Sequence, residues 1–514
     1  VDPFRQDDTS KFKTICGVMV ALKLAAALSD EYETVLEEYG DIAAIGTVAD
    51  VMPCVGENRA IIRRGLEIIN SGSVRPGLAA LIEKTGRSDG FITSSDIAFM
   101  ISPRLNAAGR MDSPDVALKL LLCEDESQAE ALADRLCAEN DRRRAGENVI
   151  LAQVADYLKQ HPEVRYDPVI LIAVSGDEKS SGVVGLAAAR LCERFGRPCA
   201  VAAVGPDGFG RGSCRSVEGF SIFGALEYAD SALRELGSSV LSAYGGHELA
   251  AGFSVNIEPG SDPSESLAPL RDALVRYSRL QKPVYPVLNI DSLLRPEKIS
   301  LQLAETLYSL EPFGKGNELP VFEVDGVKIT RVDELGKEKK HLRLAMSGEH
   351  GGFEAMLFNT PLSSFAYSAG DAVDVAVTVE VNVWNGRRSA GVKVIDMRPA
   401  GAGGEDYFAS MLFYDRFRSG SELTDRERAF LLPDRSLITA VYKALSAGYT
   451  GNAEKLCAEL GMPDKLAARV RLAIEALIEL DLVTNEGCRY AAVPEAGRKN
   501  LSDSDILSSL GYAE

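Results

Sequence analysis

The sequence of 514 residues predicts a multidomain α/β protein: the remainder of an α/β domain, a long linking helix, a second α/β domain, a small β-barrel and a helical C-terminal domain. Three patterns predict it. Helical periodicity alternates with short apolar runs in the first half, short strand-like segments follow, and the last part of the chain is again helical. The length also favours several domains, since domains average ~100–200 residues.

The composition is that of an ordinary folded protein. Hydrophobic residues make up 46% and charged residues 25%, and no apolar run reaches the ~18 residues of a membrane helix, so we expect no membrane contact. The net charge of −19 argues against a surface coated by nucleic acid but leaves room for a local basic groove. Nine cysteines without a CxxC spacing favour reduced thiols and a cytoplasmic location. With only four histidines, a site built on several of them is not expected within this chain.

Residues 1–122 alternate helical patterns with apolar runs, which predicts an α/β domain. The segment opens abruptly with Val1-Asp2-Pro3-Phe4 and no strand precedes it, so we expect the C-terminal part of such a domain. A strand-like stretch at 42–45 is followed closely by Asp50. A carboxylate just after a strand lies where α/β folds place ligands, and Mn²⁺ or Mg²⁺ prefers such oxygen ligands. Asp50 is therefore a candidate metal ligand; the alternative is an Asp that caps the next helix or turn.

Residues 123–163 predict one long connecting helix, from Glu126 to about Lys159, which would span roughly 50 Å. Residues 164–262 predict the second α/β domain. Its strand, helix and strand, in the order typical of a parallel sheet, are 169–174, 183–195 and 199–204.

Three motifs predict anion binding. In the first, residues 103–110, two Arg and an Asn stand among small residues, and guanidinium groups bind phosphate through paired hydrogen bonds. Its candidate residues are Arg104, Asn106 and Arg110. The alternative is a helix and loop held by structural salt bridges.

The other two motifs are rich in glycine. Residues 208–216 offer backbone N–H groups for an anion-binding nest, with Arg and Ser side chains as further donors, although a plain hairpin carries similar glycines. Residues 245–252 place a histidine in a Gly-flanked turn, where a protonated imidazole can pair with phosphate; a lone His is more often structural. The candidate residues of these motifs are Arg211, Ser213, Arg215, Ser216, Gly245, Gly246 and His247.

Residues 286–400 predict a small barrel, of which the OB-fold is a common nucleic-acid-binding example. Its strand segments are 321–324, 327–329, 341–344, 372–377 and 392–395, with turns such as 325–326 and 385–386 between them. Residues 405–514 predict a helical domain. Three helices followed by a hairpin form a winged-helix pattern here, which is a weak signal in a single sequence; the helices are expected near 436–446, 452–460 and 464–480.

These motifs together supply at least three phosphate-binding elements and one metal carboxylate. None of them contains a Ser–His or Cys–His pair for nucleophilic catalysis. The chemistry that suits them best is metal-assisted hydrolysis of a phosphodiester.

The same motifs, in the same order, resemble the RecJ family, the bacterial single-strand-specific 5′→3′ exonucleases of the DHH phosphoesterases. The segment Glu311-Pro312-Phe313-Gly314-Lys315-Gly316-Asn317 and residues 56–59 and 381–386 resemble it too. The resemblance covers residues 1 to about 400, and residues 405–514 resemble the additional C-terminal domain of some Gram-positive members. It implies a DHH catalytic domain ending at 122, a DHH-associated domain at 164–262 and an OB-fold single-strand-binding domain at 286–400.

The resemblance also implies roles for residues. It implies an exonuclease of DNA repair and recombination with a two-metal Mn²⁺ or Mg²⁺ site, in which Asp50 matches the family's fourth motif and would be a catalytic metal ligand. Arg104, Asn106 and Arg110 match a segment near the DNA 5′ end. Ser213, Arg215, Ser216 and His247 match the phosphate-holding loops. The expected partners are single-stranded DNA, single-strand-binding protein and a RecQ-type helicase, with the protein itself a monomer.

The sequence departs from the family in two places. Residues 1–3 resemble the segment just after the Asp-His-His motif, and Asp-His-His occurs nowhere in the chain; we therefore expect a truncated chain that binds single strands weakly and cleaves poorly. Lys179 and Ser180 stand where the family usually has Trp-His. Two alternatives remain open: a DHH phosphodiesterase acting on short oligonucleotides, and a non-catalytic single-strand-binding protein.

Overall fold

A computed structural model describes residues 2–512 except 6, 73, 87–90, 112, 178, 179, 181, 283, 285, 385, 495 and 496, and it describes the backbone alone at 110, 111 and 384. The chain divides into two units. Residues 1–287 and 311–319 form the first unit, and residues 288–310 and 320–514 form the second. Segment 311–319 therefore belongs to the first unit although both of its flanks belong to the second.

The first unit begins with a region in which the described residues before 122 form helices and no strand. The helices are α1 (Gly17–Ser29), α2 (Tyr32–Ala49), α3 (Gly56–Asn70), α4 (Pro76–Lys84), α5 (Ser94–Asp96), a π-helix (Ile97–Ile101), α6 (Ser102–Met111) and α7 (Asp115–Leu121). The strands that make the protein α/β all lie later in the described part of the chain, from residue 170 onward.

The strand predicted at 42–45 is wrong, because these residues lie inside α2. The buried positions Gly40, Ala43, Ala44 and Thr47 recur at helical spacing, so the apolar run is the inner face of a helix. That face packs tightly on α3: a Cβ added to Gly65 would lie 2.4 Å from the carbonyl oxygen of Gly40.

The predicted connecting helix is confirmed as α8 (Glu126–Gln160), which is 35 residues and roughly 52 Å long. The carboxylate of Asp125 caps it by accepting a hydrogen bond from the backbone N–H of Gln128. Its first half packs into the helical region through Ala129, Ala133 and Leu136. Its second half packs on a sheet through Ile150, Val154 and Leu158. One helix thus belongs to two cores of the first unit.

That sheet has five strands in the order β1-β2-β3-β5-β4. The strands are β1 (Ile170–Ser175), β2 (Cys199–Val204), β3 (Phe209–Arg215), β4 (Leu241–His247) and β5 (Ala250–Asn256), and the helices are α9 (Val184–Phe195), α10 (Ile222–Glu235), α11 (Pro263–Ser266) and α12 (Ala268–Arg279). The predicted parallel pairing of β1 with β2 is confirmed, and the other neighbours are antiparallel. Helices α8 and α9 cover β1 and β2 on one face, and α10 and α12 cover the opposite face.

The second unit contains a closed barrel, as predicted. Its strand order is β10-β11-β9-β8-β7-β6, and β10 also pairs with β7 to close the sheet. The elements are β6 (Ser292–Leu293), α13 (Leu301–Tyr308), β7 (Val321–Leu335), β8 (His341–Gly348), β9 (Gly351–Leu357), β10 (Ala372–Trp384) and β11 (Arg387–Pro399). The turn predicted at 325–326 is wrong, because β7 runs through it. The Gly326 N–H donates to the Asp374 carboxylate (2.8 Å) beside a register shift, so the glycine marks a bulge.

The C-terminal region of this unit is helical, and the predicted order of three helices and a hairpin is confirmed. The elements are α14 (Glu405–Arg418), α15 (Asp425–Leu431), α16 (Arg435–Ser446), α17 (Ala453–Glu459), α18 (Ala467–Glu479), β12 (Val483–Glu486), β13 (Arg489–Ala492) and α19 (Asp505–Ser509). The third helix, α18, is enclosed: Arg469 donates to the Phe430 carbonyl, and Arg471 pairs with Glu454 over 2.7 Å. A DNA-reading winged helix places its recognition helix in the major groove, and α18 is occupied by its own neighbours instead. Across the described part of the chain, every helix is too short or too polar to span a membrane.

Candidate nucleic-acid interface

The antiparallel half of the five-stranded sheet aligns the candidate residues of two separate motifs. Arg215 on β3 pairs with Ala250 on β5, which pairs with His247 on β4. Neighbouring strands lie about 4.8 Å apart, so Arg215 and His247 are held roughly 10 Å apart in one row. The sequence predicted phosphate binding at each motif separately, and the register places the two on one face.

Small residues lie between the charged ones. In the next row of the same face, Ser213 pairs with Gly252 and Gly252 pairs with Gly245. Gly245 and Gly252 are both exposed, and a Cβ on Gly245 would meet nothing within 4 Å. A ligand can therefore approach the sheet backbone closely between Arg215 and His247.

The predicted glycine nest at 208–216 is wrong, because the segment is strand β3. Its burial alternates, so that Gly210, Gly212 and Cys214 face the core while Arg211 and Ser213 face outward. Its backbone N–H groups are used in the ladders with β2 and β5. A Cβ on Gly212 would lie 2.1 Å from the Phe253 ring, so this glycine serves core packing. The anion donors here are side chains.

Arg215 and Ser213 form the centre of this face. The Arg215 Nη1 donates to the Ser213 Oγ over 2.9 Å and to the Cys214 carbonyl over 2.8 Å. A Cβ on Gly185, in the first turn of α9, would lie 3.1 Å from Ser213 Oγ and 3.3 Å from Arg215 Nη2. The N-cap residue Val183 offers no side-chain cap. The first turn of α9, a guanidinium and a hydroxyl thus lie close together. A guanidinium beside a hydroxyl suits a phosphate.

Two further candidates of these motifs have structural roles. Gly246 has φ +142°, and a Cβ there would lie 2.5 Å from the Ala250 carbonyl oxygen, so the position requires glycine. Ser216 donates its hydroxyl to the Phe220 carbonyl (2.8 Å), and its N–H donates to the Leu249 carbonyl (2.9 Å), which holds the end of the hairpin.

Two further residues near this sheet, Cys214 and Ser180, have structural surroundings of their own. Burial raises the pKa of the Cys214 thiol to about 12, so it stays protonated behind β3. Ser180 closes a turn by donating to the Asp177 carboxylate over 2.9 Å. Lys179 lies outside the described residues.

The first anion motif follows the π-helix of the helical region. Pro103 has no N–H to offer to the preceding turn, and this missing donor accounts for the change of helix period. Arg104 is half-buried and donates to the Met100 carbonyl over 2.5 Å, while its Nε is buried without an acceptor among the described residues. Asn106 is exposed. The side chain of Arg110 lies outside the described residues.

Asp50 follows a helix, which corrects the predicted placement after a strand. It is exposed and forms the C-terminal cap of α2, and Val51 turns the chain with φ +53°. The carbonyl end of a helix carries partial negative charge, which adds to the carboxylate in attracting a cation. Asp50 can therefore give one carboxylate oxygen to a cation, at a helix end whose partial negative charge attracts that cation.

The loop after Asp50 is held by segment 311–319. The Cys54 N–H donates to the Lys315 carbonyl (2.6 Å), and its Sγ contacts the Pro312 carbonyl (3.1 Å). The Ser94 hydroxyl donates to the Phe313 carbonyl (2.6 Å). The Pro-Phe-Gly pattern marked this segment as unusual, but its contact with a loop some 260 residues earlier carries no local signal.

Glu311 anchors the same segment. Its Oε2 accepts from the Phe313 N–H (2.9 Å) and lies 3.2 Å from the Ser94 Oγ. Burial raises the pKa of the Glu311 carboxyl above its usual range, against the opposing effect of these hydrogen bonds.

One group of carboxylates among the described residues has metal-like spacing, and it lies in the barrel. Ligand oxygens of Glu323, Asp325 and Asp374 lie within 4.8 Å of one another. Arg398 pairs with Glu323 (2.6 Å) and lies 3.5 Å from Asp374, which also accepts from two backbone N–H groups. The cluster thus has its own compensating donors. Within the described residues, Asp50 belongs to no such group, so the residues described do not by themselves complete a two-metal site.

Comparison with known proteins agrees with this architecture. The profile of the DHHA1 domain matches residues 167–262, and that of the RecJ OB domain matches residues 290–396. The single-stranded-DNA-specific exonuclease RecJ of Dickeya dadantii is 32% identical over 413 residues, which are 78% of this chain and 70% of that protein. RecJ of Bacillus subtilis is 31% identical over 397 residues, 77% of this chain and 48% of that protein.

A solved structure is similar as well. The crystal structure of RecJ from Thermus thermophilus in complex with Mg²⁺ matches with a TM-score of 0.60 and 30% identity, over 77% of this chain and 58% of that chain. The fold and the aligned face define a DHHA1-containing protein with an OB barrel. The chain belongs to the RecJ family. It spans about half the length of the Bacillus subtilis relative it matches.

Proposed function

We propose that the protein is a single-stranded-DNA-specific 5′→3′ exonuclease that hydrolyses phosphodiesters with Mn²⁺ or Mg²⁺. The observation that carries the proposal is the row Arg215–Ala250–His247, with the Arg215–Ser213 pair beside the first turn of α9. This face combines fixed donors with an open approach, which suits the terminal phosphate of a DNA strand. The relatives are named single-stranded-DNA-specific exonucleases.

The domain roles follow from the same proposal. Residues 164–262 hold the strand end, residues 286–400 form the single-strand-binding barrel, and residues 1–122 belong to the catalytic domain. The match of the barrel to a RecJ OB domain favours a long single strand over a dinucleotide, because a short substrate needs no extended binding domain. Arg104, Asn106 and Arg110 are proposed to contact the same strand near its 5′ end.

The metal role is proposed for Asp50 alone. A structure of RecJ was solved with Mn²⁺ and another with Mg²⁺, and such hard cations prefer carboxylate oxygens. Asp50 is exposed at the negative end of α2, where it can give one ligand. The contribution of the chain's other described residues is to bind and orient the strand.

The family resemblance also supports single-strand-binding protein and a RecQ-type helicase as protein partners and a monomeric state. All nine cysteines are free thiols, which supports a reducing, cytoplasmic location.

The direct test is a polarity assay. The protein is incubated with Mn²⁺ and single strands labelled at the 5′ or the 3′ end, and with the matching duplex. We expect 5′-labelled single strands to lose their label as small products first, while 3′-labelled strands shorten gradually and the duplex persists. Release of the 3′ label first, or equal digestion of the duplex, would refute the proposal. Ser213→Ala should slow digestion, whereas Ser436→Ala, an exposed serine of α16, should not.

A further inference from the structure

An exposed aromatic side chain begins the strand that carries the phosphate-binding pair. Phe209 is the first residue of β3 and keeps 42% of its surface exposed. It contributes to neither of the two cores that flank its sheet. A large part of this side chain thus stays in contact with solvent outside the cores, where a ligand can reach it.

Arg211 accompanies this ring. Its guanidinium carbon lies 5.9 Å from the ring centroid of Phe209, within the range of a cation–π contact. Across the ladder, the two residues pair with Asn256 and Ser254 of β5, which are short and polar. The exposed face around Phe209 and Arg211 therefore leaves room for a second flat ring and for the charge that would accompany it.

The pair shares its face with the proposed phosphate site. Side chains alternate along a strand, so Phe209, Arg211, Ser213 and Arg215 all point to the same side of the sheet. At about 3.4 Å per residue, Phe209 lies roughly 14 Å along β3 from Ser213. A strand whose terminal phosphate is held at Ser213 and Arg215 can reach Phe209 with one of its next nucleotides.

We propose that Phe209 is a stacking platform for one unpaired base of the bound strand and that Arg211 pairs with the phosphate next to that base. This inference rests on the proposed function and adds a means of selecting single strands. A base can stack on Phe209 only after it has left its complementary partner, whereas the phosphate site by itself accepts the end of a single or a double strand. Stacking on an aromatic ring tolerates any base, as an exonuclease requires.

The test combines a substitution with a missing base. Affinity is measured in EDTA, which keeps the strand intact, for a 5′-phosphorylated single strand and for strands with one abasic site at each of the first five positions. We expect Phe209→Ala to weaken binding of the intact strand by about fivefold to a hundredfold. One abasic position should weaken wild-type binding similarly and have little effect in Phe209→Ala. Phe209→Trp should retain the affinity, and Phe408→Ala, a change of another exposed phenylalanine, should leave it unchanged.

The outcomes separate the two proposals. Should the wild type bind single strands better than duplex while Phe209→Ala binds like the wild type, the platform is refuted and the proposed function stands. The platform is equally refuted when the substitution and every abasic site weaken binding independently. A wild type without preference for single strands refutes the proposed function and the platform together. Circular dichroism and thermal unfolding establish that Phe209→Ala is folded.

Discussion

The guanidinium of Arg215 is fixed to the hydroxyl of Ser213 by a hydrogen bond of 2.9 Å, two positions away on the same strand. The same nitrogen also donates to the Cys214 carbonyl, so the side chain lies along β3 with Nη2 turned toward Gly185. A side chain held in this way loses little conformational freedom when it binds an anion. These hydrogen bonds therefore hold the donor groups of Arg215 and Ser213 in a fixed position in the proposed interface.

Replacement of Arg215 by Gln should change how binding depends on salt. One phosphate contact fewer lowers the slope of log K against log salt by about 0.7 for a single strand, because fewer counterions are released. The slope is measured by fluorescence anisotropy with a labelled single strand. Arg234→Gln serves as the control, since Arg234 lies on α10 and pairs with Asp230. Equal slopes for wild type and Arg215→Gln would contradict a phosphate contact.

Replacement of Asp50 by Asn should abolish hydrolysis while leaving strand binding intact. The loss should be at least about a hundredfold, since even outer-shell partners of metals are worth ~10–100-fold. Asp30→Asn is a matched control, because Asp30 is the C-terminal cap of α1 as Asp50 is of α2. Rates are measured over a Mn²⁺ titration. Wild-type rates in Asp50→Asn at every Mn²⁺ concentration would exclude the metal role.

Adjacent glycines of β4 should respond differently to alanine. Gly246→Ala forces a Cβ into a left-handed backbone 2.5 Å from the Ala250 carbonyl oxygen, and should lower the free energy of unfolding by about 1–3 kcal/mol. Gly245→Ala meets open space and should unfold at the wild-type urea concentration. Urea titrations compare the two variants. A stable Gly246→Ala would show that the hairpin before His247 relaxes easily.

Glu311 should make the protein less stable as the pH rises. Burial raises its pKa above 4.5 in the folded state, so the folded protein binds the proton more tightly than the unfolded chain does. The stabilisation from protonation is complete below pH 4.5 and is lost as the pH rises through the folded-state pKa. Glu311→Gln removes the group that titrates. As the pH rises from 4.5 through the folded-state pKa of Glu311, the free energy of unfolding of Glu311→Gln should therefore increase relative to that of the wild type. Urea unfolding at a series of pH values measures the difference, and parallel curves would disprove the assignment.

The elements that were predicted correctly are those whose hydrophobic pattern matches the way they are buried in the fold. Strand β2 is a continuous apolar run because both faces of its sheet are covered, and α8 keeps a helical pattern into two cores. The prediction of a strand at 42–45 was wrong because the burial there belongs to a helix. Ala43, Ala44 and Ile45 are all buried, and a short apolar run fits a buried helix as well as a strand.

The sequence predicts the individual residues of the candidate site but not their arrangement on one face of the sheet. The residue types at Arg215, Ser213 and His247 indicated phosphate binding, but the row that joins them depends on the pairing of β3, β5 and β4. Along 210–215, small residues alternate with Arg and Ser, which is the pattern of a strand with one polar face. The glycines in this segment favoured a loop instead, so the strand was not predicted. The contact of Cys54 with Lys315 links distant parts of the chain, so no local pattern contains it.

The face around Arg215 and Ser213 is proposed to hold the 5′-terminal phosphate of a single strand. The most direct measurement compares affinities for the same single strand with a 5′-phosphate and with a 5′-hydroxyl, in the wild type and in the double variant Ser213→Ala, Arg215→Ala. We expect the wild type to prefer the phosphorylated strand by about tenfold or more, since hydrogen bonds to charged groups are worth ~1.5–3 kcal/mol. The double variant should bind both strands equally. Equal affinities in the wild type, or a preference that survives the double substitution, would contradict it.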